Sequence, residues 1–450
     1  MAALGLSACS VVQYRPVETI SHNNTRTGYR LQHAIERAQK KDNMVIMMFS
    51  GGGTRAAAFG YGVLEELHRN PVRLHGQDGS WLDSVDIAYG VSGGSVLAAY
   101  FSLHGKDAIP AFEKRFLKQN FQRQFRSQFL SLANMPRLTS PEFGRGDLLQ
   151  EQFEHTLFGN TTFGDLAQHR KGPFAVISAT DMTAGKRLDF TQEYFDVLCL
   201  NLSDLRLARA VAASSAVPLI FAPVTLNNNG GNCGYTLPAP IQQAINGSGQ
   251  HLLQHQNRQE YLNHVQHYAN SRERPYLHLL DGGLTDNLGL RNLLEMNEIY
   301  SSRSLKNNFI SGVTKRIIVI TVNAQNQISS DIDKSAAVPG FMDALNATIN
   351  IPIDQQSQET IRSFRALINE ISASTYNQYG EKIKAYFINL NLHDLPASPL
   401  RRQLLNIPTT FYLPPEEINQ LKSAAPILLK QSAEYQRLLQ DLAAEPAHKP

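Results

Sequence analysis

The run from Val85 to Tyr100, V-D-I-A-Y-G-V-S-G-G-S-V-L-A-A-Y, constrains this chain more than any other. It opens with the apolar character of a strand buried on both faces and closes with the small residues of a tightly packed helix. Between them Gly90-Val91-Ser92-Gly93-Gly94 fits G-x-S-x-G, the strand-to-helix elbow that presents a nucleophilic serine. The chemistry explains the glycines, because a strained turn leaves no room for side chains two positions before and after the serine. A helix starting at Gly93 also aims unpaired N–H groups and its positive dipole end at a developing alkoxide. The competing reading is an ordinary glycine turn between a buried strand and a helix, and the rest of the chain decides.

At 450 residues, 42% hydrophobic and 18% charged, the chain has material for two or three domains, or one large α/β domain with additions. A net charge of +3 is too small to argue for a nucleic-acid partner. No apolar run approaches the ~20 residues of a spanning helix, and the nearest, residues 211–224, contains two serines and two prolines.

At the amino terminus, Leu6-Ser7-Ala8-Cys9 resembles the bacterial lipobox, in which the cysteine becomes lipidated. Lipidation of Cys9 would anchor the protein in the cell envelope, at the outer membrane or in the periplasm. Without it the chain would be cytoplasmic or secreted. Only eight residues precede Cys9 and none is basic, whereas a secretory signal has a basic start and a longer apolar core. Residues 11–29 then read as a polar tether. Cys199 and Cys233 form an even pair that an oxidising compartment would allow to bridge; the alternative is two unrelated thiols.

Residues 31–41 have helical spacing, and Met44-Val-Ile-Met-Met-Phe49 reads as a buried strand. Ser50-Gly51-Gly52-Gly53-Thr54-Arg55 follows, opening a helix over 56–68. Glycines at such a junction let backbone N–H groups approach an anion. A phosphate loop would need G-x-x-x-x-G-K-[ST] or G-x-G-x-x-G, and neither is present. An oxyanion hole needs only a pair of convergent donors, which Gly52 and Gly53 could supply. A tight turn with no further role is the third reading.

Beyond the elbow, Phe112, Phe116, Phe121, Phe125 and Phe129 form a stripe at helical spacing, interleaved with Lys114, Arg115, Lys118, Arg123 and Arg126 against one acid, Glu113. The stripe is either core with a solvated basic back, or a helix lying in a headgroup layer. Residues 174–181 read as a strand with 186–190 returning as a hairpin, and 205–213 as a helix running into an extended segment that Pro218 and Pro223 enforce. Residues 227–275 read as a polar, mainly helical insertion. Its His251/His255 and His264/His267 pairs have one-turn spacing that could suit a metal, although a polar helical surface explains them equally. Tyr276-Leu-His-Leu-Leu280 is a strand that delivers Asp281-Gly282-Gly283 to a sheet's carboxyl edge, where open α/β sheets place their sites. Asp286 and Asn287 could cap the helix that follows. Residues 316–322 and 384–390 are later strands, 357–372 a helix, and 414–442 helices punctuated by Pro426.

Gly51-Gly52-Gly53-Thr54-Arg55, Gly90-Val91-Ser92-Gly93-Gly94 and Asp281-Gly282-Gly283 resemble, in order, the three motifs of patatin-like phospholipases. Residues 213–218 resemble the family's Ser-Ala-x-Pro segment. The resemblance covers about 44–324. It implies a three-layer α/β/α sandwich with a mainly parallel central sheet, and a Ser-Asp dyad rather than a triad. By that match Ser92 is the nucleophile, Asp281 the base, and Gly51, Gly52, Gly53 and Arg55 make the oxyanion site. Gly90, Gly94, Gly282 and Gly283 support the motifs. Two departures are Ala56, where the family often has glycine, and the long 227–275 excursion.

The implied organisation is a tether over 1–30, a catalytic domain over 31–330 carrying the insertion, and a helical C-terminal extension over 331–450 on the same sheet. The implied activity is hydrolysis of fatty-acyl esters of membrane phospholipids through an acyl-enzyme, with a membrane surface as partner and no metal or organic cofactor needed. Two alternatives remain at this level: a Ser-His-Asp esterase using His393, and a catalytically silent lipid-binding lipoprotein.

Overall fold

The computed structural model describes residues 14–74, 77–131, 133–239, 241–242, 252–299, 312–327 and 332–444. Cys9, His251 and the chain ends lie outside the described residues.

Strands β1 (Asn43–Phe49), β4 (Ile87–Val91), β5 (Phe174–Asp181) and β9 (Arg316–Asn323) are buried at every position. A strand with no exposed residue needs cover on both faces, so the sheet must be the middle of three layers. Two short strands, β2 (Val72–Leu74) and β3 (Gln77–Gly79), make a separate hairpin. The main sheet adds β6 (Lys186–Asp189), β7 (Val224–Asn227), β8 (Tyr276–Asp281) and β10 (Lys384–Asn391), in the order β10-β9-β1-β4-β5-β8-β7, with β6 paired to β5. From β10 to β5 all neighbours are parallel; β6, β8 and β7 run antiparallel to their partners. The expected α/β/α sandwich with a mainly parallel sheet is the observed fold.

The chain after residue 312 contributes β9 beside β1 and β10 at the edge. Helix Pro415–Gln431 packs along helix Gly53–Arg69, which carries the glycine loop at its start. Helix Phe341–Ser374 passes against the turn Gly283–Asp286 just after Asp281. Cys199 and Cys233 form a disulfide. Among the described residues no helix is long and apolar enough to cross a membrane.

Several local expectations change. The helix after the glycine loop begins at Gly53 rather than Ala56. The segment after Ser214 folds into turns, with Phe221 N–H donating to the Val217 carbonyl, instead of running extended. Pro426 sits inside an unbroken helix and the break falls at Ser432, because that helix has other turns to stabilise it. The phenylalanine stripe is divided among a short helix ending at Phe112, a helical turn, Glu113–Leu117, and helix Phe121–Phe129. Phe112, Phe116 and Phe121 are buried in the core and Phe125 packs against it, which excludes them from a membrane face. In the insertion, His264 lies on helix Leu252–Ala269, its ring against Tyr268. Burial and nearby Lys186 push it down to about 4. Among the described residues no group of three metal-ligating side chains is assembled.

Candidate active site

Strands β1 and β4 are parallel neighbours with Phe49 opposite Gly90, so the loops leaving them meet at one sheet edge. Asp281 reaches that edge by a route its sequence position does not reveal. Its strand, β8, runs antiparallel to β5 and pairs Asp281 with Ala179, one residue past Ser178, which lies opposite Val91. The carboxylate therefore ends level with Ser92.

Ser92 has φ 51° and ψ −124°, a conformation that residues with a Cβ rarely adopt. Its surroundings hold it there. The Ser92 N–H donates to Ser214 Oγ at 2.9 Å, and Ser214 Oγ donates to the Ser178 carbonyl at 2.6 Å. The Ser92 carbonyl accepts from Ser95 N–H at 2.9 Å and Ser95 Oγ at 2.6 Å. The glycines of the elbow are spatial necessities. A Cβ on Gly90 would lie 2.6 Å from Ser95 Cα, one on Gly94 2.4 Å from the Phe49 carbonyl oxygen, and one on Gly93 2.0 Å from the Gly53 carbonyl oxygen.

The Ser92 side chain lies near enough to the Asp281 carboxylate to favour its charged form. Gly283 N–H donates to Asp281 Oδ1 at 2.8 Å, and a Cβ on Gly282 would sit 2.2 Å from the Ser178 carbonyl oxygen. Both side chains are shielded, Ser92 being 4% and Asp281 7% exposed. Burial raises Asp281 to about 6, a rise that nearby Ser92 and the Gly283 N–H hold in check. At neutral pH such a group is ionised yet basic enough to accept a proton.

The glycine loop separates into two kinds of donor. Gly51 N–H is committed to Asn287, donating to its Oδ1 at 3.1 Å and its carbonyl at 3.2 Å. It is therefore not available to an oxyanion, which corrects that assignment. Gly52 (φ 134°) and Gly53 (φ 59°) hold backbone shapes that only glycine adopts easily. Among the described residues neither of their N–H groups has a protein acceptor. Thr54 N–H, one residue on, donates to the Thr410 carbonyl at 2.8 Å.

Arg55 is also reassigned. It is buried and donates to three oxygens: the Ala324 carbonyl at 2.8 Å, the Ile407 carbonyl at 2.6 Å and Asn326 Oδ1 at 3.3 Å. With its guanidinium under Gly52, it ties the loop to the C-terminal segments. Burial lowers it to about 10, and it remains charged. Its role is scaffolding.

His393 does not approach Ser92 and Asp281. It follows β10, at the far edge of the sheet from β8, and its ring nitrogen faces the Asn326 carbonyl at 3.5 Å. Strands sit about 4.8 Å apart, so three strand spacings separate β10 from the strand that carries Ser92. Asp286 does act as a cap, accepting Arg291 N–H at 2.9 Å. Asn287 instead fixes the glycine loop, a role with no sequence signal. Ser214 had one, because it lies in the Ser-Ser-Ala-Val-Pro segment.

A family model for patatin-like phospholipases matches residues 47–294, which is more than half of the chain and includes the elbow and Asp281. The chain belongs to the patatin-like phospholipase family. No curated protein matches it. Among solved structures it is similar to human GIVD cytosolic phospholipase A2, at 12% identity and TM-score 0.45, covering 92% of this chain and 65% of that one. The same human enzyme in complex with methyl gamma-linolenyl fluorophosphonate aligns at 13% identity and TM-score 0.43, covering 92% of this chain and 62% of that one. VipD from Legionella pneumophila aligns at 12% identity and TM-score 0.30 over 97% of this chain and 72% of that one. The chain thus spans under two thirds of the human enzyme's length.

Proposed function

We propose that the protein is a serine acyl hydrolase that cleaves fatty-acyl esters of membrane phospholipids through a Ser92–Asp281 dyad. The observation that carries this reading is the buried Asp281 carboxylate brought level with the strained, buried Ser92 at one sheet edge, beside the Gly52 and Gly53 N–H groups that have no acceptor among the described residues. Ser92 Oγ attacks the ester carbonyl carbon and passes its proton to Asp281. Gly52 and Gly53 N–H groups stabilise the negative oxygen of the tetrahedral intermediate. As that intermediate collapses, the leaving alcohol oxygen takes the proton from Asp281, leaving an acyl-serine. Asp281 then removes a proton from water, which attacks the acyl carbon and releases the fatty acid, and the proton returns to Ser92. No step needs a metal or an organic cofactor.

Fatty-acid release from mixed phospholipid vesicles tests this. Wild type should release fatty acid and Ser92→Ala should lose activity on the order of 1000-fold or more. Equal release by both would defeat the proposal. The location that fits is the cell envelope with a lipid on Cys9, and the Cys199–Cys233 bridge supports an oxidising compartment. Expressed from the full reading frame in a bacterium, the protein should then carry acyl mass that Cys9→Ser removes; an unmodified cytosolic product would refute the location.

A further inference from the structure

The bases of residues 112–129 gather where the phenylalanines do not. The turn Glu113–Leu117, helix Phe121–Phe129 and the end of helix Arg145–Phe153 border an open cleft of about 670 Å³. Lys114, Arg115 and Arg123 line it together with His155, and no carboxylate does. The neighbouring acids are occupied, Glu113 by Lys118 at 3.2 Å and Lys422 at 3.1 Å, and Glu154 by Arg206 at 3.1 Å. Three cations converge with nothing to neutralise them, and an anion would relieve that field.

The wall of the cleft also contains unsatisfied acceptors. Gln152 is 1% exposed; its Nε2 donates to Gln124 Oε1 at 2.7 Å, while its own Oε1 has no donor. Gln128 Oε1 is in the same state. Both side chains line the cleft. Both oxygens are sealed just beneath the cleft surface; a buried acceptor without a donor is costly, so a ligand hydroxyl that drew either amide outward would relieve it. An anion for the bases and hydroxyls for the amides together describe a phosphoglycerol group.

The helix that supplies Arg123 ends in an apolar lip, with Leu130 74% exposed and Phe129 beside it. The dyad lies elsewhere. Phe121 and Phe153 pack on Phe411 at 5.6 and 6.3 Å, and Phe411 follows Thr410, whose carbonyl abuts Gly53. This aromatic wall stands between cleft and dyad.

We propose that the cleft binds the phosphate and hydroxyls of an anionic phospholipid headgroup of the phosphatidylglycerol kind, seating the protein on a bilayer while the dyad works on another lipid. The inference rests on the lipid-hydrolase reading, but its test does not depend on turnover. In the full chain carrying Cys9→Ser and Ser92→Ala, binding would be measured to phosphatidylcholine vesicles with and without phosphatidylglycerol. Each neutralised base should cost about 5-fold, so Lys114→Gln, Arg115→Gln and Arg123→Gln together should weaken binding to the anionic vesicles roughly 100-fold. With Ser92 intact, the same triple variant should hydrolyse a soluble short-chain ester at the wild-type rate, which also shows that it folds. Phosphatidylglycerol should be preferred over phosphatidylmethanol of equal charge, and Gln152→Leu should erase that preference. Free glycerol phosphate should displace the protein more than sodium chloride of equal ionic strength. Unchanged vesicle binding by the triple variant would overturn the proposal. So would indifference to the headgroup hydroxyls, or binding of free glycerol phosphate without binding of vesicles.

Discussion

The backbone of the Ser92 turn is held by side chains from across the fold, whereas the cleft beside helix Phe121–Phe129 holds charges and amide oxygens that have no partner among the described residues. At the elbow, Ser214, Ser95, Gly283 and Asn287 fix the turn, and among the described residues the Gly52 and Gly53 N–H groups stay open. At the cleft, three bases face solvent and two amide oxygens lack donors. The contrast separates two jobs. Bond making needs groups fixed before the substrate arrives, and surface recognition needs unmet polar groups for the ligand to satisfy.

The largest expected effect comes from removing the proposed base. Asp281→Asn keeps the shape of the carboxylate and loses the base, so kcat for ester hydrolysis should fall on the order of 100- to 10,000-fold. His393→Ala should stay within about twofold of wild type. The reverse pattern in steady-state rates would replace the dyad with a triad.

Loosening the turn without touching the reacting atoms should do less. Ser214→Ala leaves the buried Ser92 N–H without its acceptor, a loss worth about 1–3 kcal/mol. If the turn relaxes, kcat should drop on the order of 10-fold with KM unchanged, and Ser214→Thr should recover part of it. A change in KM alone would mean that Ser214 shapes binding and not the nucleophile.

The smallest effect is on stability and has a definite sign. Asp281 titrates at about 6 in the fold, above its ordinary 3.8, so the folded state favours the protonated form. Its stability is greatest below the unfolded value and falls as pH rises from about 4 to 6. Asp281→Asn should therefore gain on the order of 2–3 kcal/mol over wild type at pH 8 and little at pH 4, read as a difference in Tm. No pH dependence in that difference would mean that the carboxylate is not desolvated.

The parts of this arrangement made by local backbone chemistry were legible in the sequence. Three glycine-bearing segments, each directly after a buried strand, name Ser92, Asp281 and the Gly51–Gly53 loop, because a tight turn leaves its mark in the residues that make it. Contacts made across the fold left no such mark. Nothing local distinguishes Gly51 from Gly52, yet Asn287 takes the N–H of one and spares the other. Arg55 reads as an oxyanion partner until the carbonyls of Ala324 and Ile407 are found around its guanidinium. The spacing of Phe112 to Phe129 is helical, but a break before Phe121 sends the rings into the core and leaves the bases around a cleft. Periodicity reports a face and not what lies opposite it.

The most direct test of the central claim is covalent labelling with a fluorophosphonate probe across pH, read by peptide mass spectrometry. The dyad predicts one adduct, on Ser92. Its rate should rise through a midpoint near pH 6 as Asp281 ionises, and should become slow and lose that midpoint in Asp281→Asn. Labelling of another serine, or of Ser92 at the same rate in wild type and Asp281→Asn, would contradict it.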